Sequence, residues 1–286
     1  MIKRKHNEVV EMIQNYEHSI LNQVEFDRLV GRIRTIYGFM SMRKEDIYDY
    51  LEKTSLIVRE YATDSDGSRQ NLYFIEGREI DIFDVAITRS RTSYFSHFSA
   101  LFINNLTLQI PKQIYLSAER TNTSYRNSPD TLNQTTIDEA FKKNARITNN
   151  KRHYKDYTIN FLQGQGYNKL GIVPFREKYL VSDIERTLID VSVRPFYAGG
   201  VTQVLEAYER VKEMLDVDKM YSYYRKMKFI YPYHQAIGFY LEKAGYSEEE
   251  QNIFRRENIK FSFYLTYNIS RKSFSKKWSL YYPTGL

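Results

Sequence analysis

The chain has 286 residues, 42% hydrophobic and 27% charged, a balance that belongs to folded globular proteins and excludes a disordered one. No apolar run reaches the roughly 18 residues that a membrane-spanning helix needs, and the basic start MIKRKHNEVVEM lacks the apolar core of a secretory signal. Without cysteine there are no disulfides and no thiolate metal sites, which fits a cytoplasmic protein, and a formal charge of +7 with pI near 9.2 suits an anionic partner.

Asn7–Leu21 reads as a first helix, with Val10, Ile13, Tyr16 and Ile20 near helical spacing. A second is expected over Glu25–Tyr37, where Phe26, Leu29, Val30 and Ile33 form one stripe and Gly38 stops the helix. Ser41 is placed to cap a third, with Ile47, Tyr48 and Leu51 facing inward. Leu56–Tyr61 and Asn71–Ile75 flank an Asp-Gly turn and read as a hairpin. Three helices followed by a hairpin is the order of a winged helix-turn-helix, and Gly77–Asp84 then serves as a connector.

Tyr94–Leu106 reads as a helix with Phe95, Phe98, Leu101 and Phe102 on one face. Pro111 delays the next strand to Gln113–Ala118, and the polar stretch Glu119–Gln134 reads as loop. Strands are expected at Tyr157–Leu162, Leu170–Phe175 and Tyr179–Val181. Ser182 and Glu185 then form a capping box for a helix that Pro195 ends, and on it Arg186 and Asp190 are spaced for an i,i+4 ion pair. Further helices are expected after Gly199-Gly200, over Asp218–Lys226 and Tyr233–Ala244, and over Ser247–Arg256 with a capping box of Ser247 and Glu250. Ile259–Tyr267 and Trp278–Tyr282 close the chain as paired strands. The fold class is therefore α+β, with a head over residues 1–81 and a larger mixed α/β domain over 82–286.

Charge is uneven along this plan. Acids and bases nearly cancel up to Ile75, and the basic excess lies between Lys142 and Lys178 and in the tail, at Arg255, Arg256, Lys260, Arg271, Lys272, Lys276 and Lys277. Lys142, Lys143, Arg146, Arg152 and Lys155, interleaved with His153 and Tyr154, are candidates for gripping phosphates and stacking on bases.

No catalytic motif is legible. The five histidines form no HxxxH or HExxH pair, so no zinc site is expected, and His97 and His234 read as structural hydrogen-bonding residues. Asp183, Glu185 and Asp190 cluster in sequence, but helix capping accounts for the first two without a metal. Gly67-Ser68 followed by Glu79 and Asp81 loosely matches the phosphate-turn and paired-acid pattern of nucleotidyltransferases, but no helix follows the Gly-Ser turn. The chain is expected to be neither an enzyme nor a cofactor binder.

From Ile82 onward the chain resembles the C-terminal domain of AbiEi-type antitoxins, most strongly in SHFSALFINNLTLQIPKQIYL, IERTLIDVSVRPFYAGG and YPYHQAIGFYLEKAGY. The matching positions are Ser96, His97, Ser99, Glu185, Arg186, Asp190, Arg194, Pro195 and Gly199-Gly200. The resemblance implies a transcriptional autorepressor of a type IV toxin–antitoxin (abortive infection) operon. Its head would bind inverted repeats in operator DNA, and its larger domain would counteract a cognate nucleotidyltransferase toxin, with or without a stable complex. In such a head, Arg43 and Lys44 at the start of the third helix and Arg69 on the wing are the candidates for DNA contact. Two alternatives remain open: a toxin-counteracting module without DNA binding, and a metal-dependent enzyme of nucleotidyltransferase or nuclease type.

Overall fold

The computed structural model describes residues 2–120, 132–164 and 167–286. The protein is a mixed α+β chain with two compact units. Unit 1 comprises Met1–Arg91 and Asn149–Ile159, and unit 2 comprises Thr92–Thr148 and Asn160–Leu286.

Unit 1 contains α1 (His6–Gln14), β1 (Ile20–Asn22), α2 (Gln23–Ile36), α3 (Lys44–Lys53), β2 (Ile57–Asp64), β3 (Arg69–Ile75) and α4 (Ile82–Ala86). The first helix is shorter than its apolar spacing predicts. Asn22 must be extended (φ −79°, ψ 175°) to cap α2, where it exchanges 3.0 Å bonds with Glu25. A helix running through Leu21 cannot meet that demand, so Ile20–Asn22 becomes a strand paired antiparallel with Leu72–Phe74. Gly38 ends α2 as expected: its φ of +70° lets Phe39 N reach back to Arg34 O at 2.8 Å. Ser41 does not cap α3; Arg43 occupies that position, and its side chain makes no bond to the backbone N–H groups of the first turn.

The hairpin runs in register from Ile57↔Ile75 to Thr63↔Arg69 and turns at 64–68, where Gly67 has φ +85°. Behind the hairpin lies the unit's apolar core, in which Phe26 stacks on Tyr73 at 3.8 Å among Leu29, Val30, Ile33, Ile47 and Leu51. The sheet order is β1-β3-β2, and β6 (Lys151–Tyr154), supplied by the later segment, pairs with β2. Unit 1 also extends past the expected 81/82 boundary. Asn22 Nδ2 donates to Thr88 O at 2.7 Å, and Arg91 grips both Glu25 oxygens at 2.8 and 2.7 Å.

Unit 2 opens with β4 (Tyr94–Phe95) and α5 (His97–Ile103), so the single helix expected over Tyr94–Leu106 is split. Phe95 pairs with Leu116 of β5 (Gln113–Glu119) and with Val181 of β9 (Tyr179–Ser182), and an apolar residue buried in a sheet is indistinguishable by spacing from one on a helix. Residues 121–131 of the expected loop lie outside the described residues. A helix not expected from the sequence is α6 (Gln134–Lys142), which starts at a capping box of Asn133 and Thr136.

Next come the end of β7 (Tyr157–Gly164), β8 (Ile172–Phe175), and α7 (Ile184–Val193). The α7 cap is Asp183 rather than Ser182: its carboxylate accepts from Arg186 N at 2.9 Å, while Ser182 completes β9. After α8 (Val201–Arg210) and α9 (Val217–Met227), α10 (Tyr233–Lys243) buries every residue from Tyr233 to Leu241. The capping box of Ser247 and Glu250 starts α11 (Glu248–Arg255) as expected. The terminal strands form a second sheet, ordered β10 (Phe263–Tyr264), β12 (Leu280–Pro283), β11 (Lys272–Ser275), with β10 and β12 parallel. Among the described residues, no helix is long and apolar enough to cross a membrane.

Trp278 closes the core of unit 2. It is fully buried, donates Nε1–H to Glu242 at 2.7 Å and packs against Gly238, where a Cβ would run into its ring carbons. Gly238→Ala is therefore expected to lower the unfolding free energy by about 1–3 kcal/mol. Urea titration followed by the fluorescence of Trp278, the sole tryptophan, reads this directly.

Candidate functional site

Of the residues that carry the resemblance, Arg186 and Asp190 meet in unit 2 as a buried ion pair. Arg186, only 3% exposed, donates from Nε to Asp190 at 3.0 Å, from Nη1 to Leu170 O at 2.8 Å and from Nη2 to Tyr94 Oη at 3.1 Å. Glu119 lies 3.7 Å from Nη1, and the Tyr167 ring faces the guanidinium at 5.2 Å. The other Glu119 oxygen accepts from Tyr167 N and Lys169 N, both at 2.9 Å. Burial alone would weaken the hold of Arg186 on its proton, but Asp190, Tyr94 and Glu119 outweigh it and keep the group charged. Burial pushes the Asp190 carboxyl up, against the pull of Arg186. Gly171 makes the approach possible: at φ +69°, a Cβ there would sit 2.8 Å from the Arg186 Cβ and 2.7 Å from Tyr223.

The carboxylates beside this cluster are all occupied. Lys219 Nζ lies 2.7 Å from Glu185 and 3.1 Å from Asp183, and Asp183 also accepts from Tyr223 Oη at 3.1 Å. Glu185 was expected to close a capping box with Ser182; it reaches α9 instead, accepting from Lys219 and from Asp216 N. Among the described residues no set of three potential ligands is placed to hold a metal. In unit 1, Asp81 caps α4 by accepting from Phe83 N at 3.1 Å, and Gly67-Ser68 stays in the hairpin turn.

Ser96, His97 and Ser99 anchor α5 to β5. Ser96 Oγ bridges Ser117 Oγ (2.7 Å) and His97 Nδ1 (2.9 Å), and Ser99 Oγ accepts from Tyr115 N at 2.8 Å. His97 adopts φ +50°, a conformation uncommon for a residue with a side chain, and its ring meets Tyr197 edge-on. Burial, aided by the charges of Arg194 and Arg186, holds His97 well below the usual imidazole range, so its ring is neutral. Arg194 caps the end of α7, where Tyr197 N donates to its carbonyl at 3.0 Å.

The five patch candidates are divided between the two units. Lys142, Lys143 and Arg146 are exposed in unit 2, whereas Arg152 and Lys155 belong to unit 1. Arg152 is buried and grips Asp64 at 2.7 and 3.2 Å, which withdraws it from solvent, and Lys155 pairs with Glu60 at 3.3 Å. Arg43, Lys44 and Arg69 are all exposed in unit 1. Arg43 folds back onto Asp46 at 3.0 Å, Lys44 opens α3, and Arg69 covers Tyr61 at the turn end of the hairpin. Acids and bases balance in unit 1, so the whole excess of +7 lies in unit 2. Sequence spacing located Arg186 and Asp190 but missed Tyr94, Glu119 and Tyr167, which reach the site from separate segments.

No family model matches the chain, and no curated protein matches it in sequence. Among solved structures it is similar to the crystal structure of the RV2827C protein from Mycobacterium tuberculosis, with a TM-score of 0.61 at 10% identity over 97% of this chain and 90% of that one. At that identity the likeness is one of fold.

Two outcomes are expected. Arg186→Met strands the Asp190 carboxylate and is expected to cost about 3–5 kcal/mol, much of which a further Asp190→Leu change should recover; denaturant melts of the single and double variants measure this. The second concerns His234, whose pKa burial lowers to about 4. The unfolded chain takes up that proton near pH 6.5 and the folded chain does not, so stability is full above pH 6.5 and falls as pH drops toward 4. His234→Gln should flatten that decline in pH-dependent thermal melts.

Proposed function

We propose that the protein is an AbiEi-type antitoxin and transcriptional autorepressor, with unit 1 acting as a winged helix on operator DNA and unit 2 counteracting a nucleotidyltransferase toxin. The observation that carries this reading is the order α1–β1–α2–α3–β2–β3 with its sheet order β1-β3-β2. Two helices joined by a short turn and followed by an exposed hairpin are the parts with which a winged helix engages a duplex. The three sequence blocks described above support the assignment of unit 2.

Phosphate contact in this reading is local. The carboxylates Glu45, Asp46, Asp49 and Glu52 make α3 acidic along its length, so DNA is met at its N-terminal end by Arg43 and Lys44 and at the hairpin by Arg69. The Arg43–Asp46 pair is exposed, screened by salt and cheap to open. The charge balance of unit 1 favours a second reading, in which the chain counteracts a toxin without binding DNA.

Fluorescence anisotropy with the duplex upstream of the protein's own operon separates the two. Under the first reading, Arg43→Ala with Lys44→Ala weakens binding roughly tenfold and lowers the salt slope by about 2. A wild-type chain that ignores this duplex supports the second. Growth of cells expressing the neighbouring gene tests the antitoxin half: the full chain and the Arg43/Lys44 double variant should both restore growth, and failure of both removes that half.

A further inference from the structure

The C-terminal sheet carries a row of aromatic rings that the antitoxin reading does not use. Tyr264, Tyr281 and Phe274 are cross-strand partners in one line across β10, β12 and β11 and therefore share a face. The rings follow one another across the sheet, the first two pairs stacked and the last tilted by 49°. Phe141 of α6 lies 5.7 Å from Tyr264, Tyr264 lies 5.0 Å from Tyr281, and Tyr281 lies 4.8 Å from Phe274. Phe141 is buried at one end, and Phe274 ends the row in solvent, 43% exposed.

Cations flank that open end. Along β11 and into the turn that follows, Lys272, Phe274 and Lys276 recur at every second residue, the spacing of one strand face. Lys272 Nζ lies over the Tyr281 ring at 4.5 Å and the Tyr264 ring at 5.3 Å. Arg271, Lys272 and Lys276 are exposed and have no ion-pair partner among the described residues, whereas Lys277 is held by Glu248 at 2.8 Å. Asp138 is the carboxylate that touches this row, and it accepts from Tyr264 Oη and from Gln134 Nε2. Between Arg255 and Leu286 the side chains include seven cations and one carboxylate, Glu257, which Arg225 pairs at 2.7 Å.

We propose that this face binds single-stranded nucleic acid, with an unpaired base covering the exposed Phe274 ring and flanking phosphates held by Lys272 and Lys276. Positive charge selects a polyanion, and an exposed ring at the end of an aromatic row selects a base free to unstack from its neighbours. A duplex keeps its bases paired and offers no such face. This site lies in unit 2 and is independent of duplex binding by unit 1.

The test is anisotropy of a fluorescein-labelled oligothymidylate of about ten nucleotides with the full chain. Binding that weakens with salt is expected. Phe274→Ala should reduce it roughly tenfold, Lys272→Glu with Lys276→Glu should abolish it, and Arg43→Ala with Lys44→Ala should leave it unchanged. Unlabelled oligouridylate and oligodeoxyuridylate should compete, and the stronger competitor identifies the preferred sugar. Phe274 and both lysines are exposed, so the variants should keep the wild-type melt. Three results would overturn the proposal: no binding at low salt, equal competition by a duplex, or wild-type affinity in Phe274→Ala. If Phe274→Ala binds the oligonucleotide normally but no longer restores growth against the toxin, the face docks a protein instead.

Discussion

Arg186 is the residue on which the organisation of unit 2 turns. A guanidinium removed from water is tolerable only when its charge is answered and its N–H groups are bonded, and here the answers come from four separate places in the chain. Asp190 comes from the same helix, Tyr94 from a strand some ninety residues earlier, Glu119 from the end of β5, and Leu170 from the loop before β8. Each partner has its own reason to stay: Glu119 caps two backbone N–H groups, and Gly171 leaves no room for a side chain. A buried guanidinium held by three hydrogen bonds and faced by two carboxylates fixes one arrangement of these segments more sharply than apolar contact alone, because a slip leaves a buried charge unanswered.

What the sequence made legible follows from what is local. The Arg186–Asp190 pair, the Ser247–Glu250 capping box, the Gly38 stop and the hairpin at 64–68 each depend on residues within a turn of one another, and each stands as expected. Errors gathered where a neighbour far along the chain decides. Ile20 and Phe95 have helical spacing but lie in strands, because β3 and β9 are there to pair with them. Ser182 was a plausible cap until β9 claimed it. Arg152 read as a surface cation because Asp64, its partner, lies 88 positions away. In the terminal sheet Ile259, Phe261, Phe263 and Leu265 alternate in the sequence, but the insertion of β11 and the parallel pairing of β10 with β12 were not visible there.

The division of charge between the units bears on how each meets a partner. Unit 1 is balanced and its third helix is acidic, so attraction to an anion acts only at close range and only at a few positions. Unit 2 carries the entire excess, and part of it lies at Arg271, Lys272 and Lys276, beside the aromatic rings of the terminal sheet. Recognition by shape and a handful of contacts suits the first, and long-range capture of a polyanion suits the second.

The return of the chain to unit 1 at Asn149 has a consequence for how the protein is made. During synthesis, roughly sixty residues separate Arg91 from that second segment, a delay of about 3–12 s at ordinary ribosomal rates. Through that interval β2 has no β6 beside it, and Asp64 lacks the guanidinium that will later grip it from Arg152. A bare strand edge is where nascent chains on neighbouring ribosomes pair by mistake. Arg59, Glu60 and Asp64, spaced along β2, put charge on that edge during the wait, so the strand that closes late is guarded by its own side chains before its partner emerges.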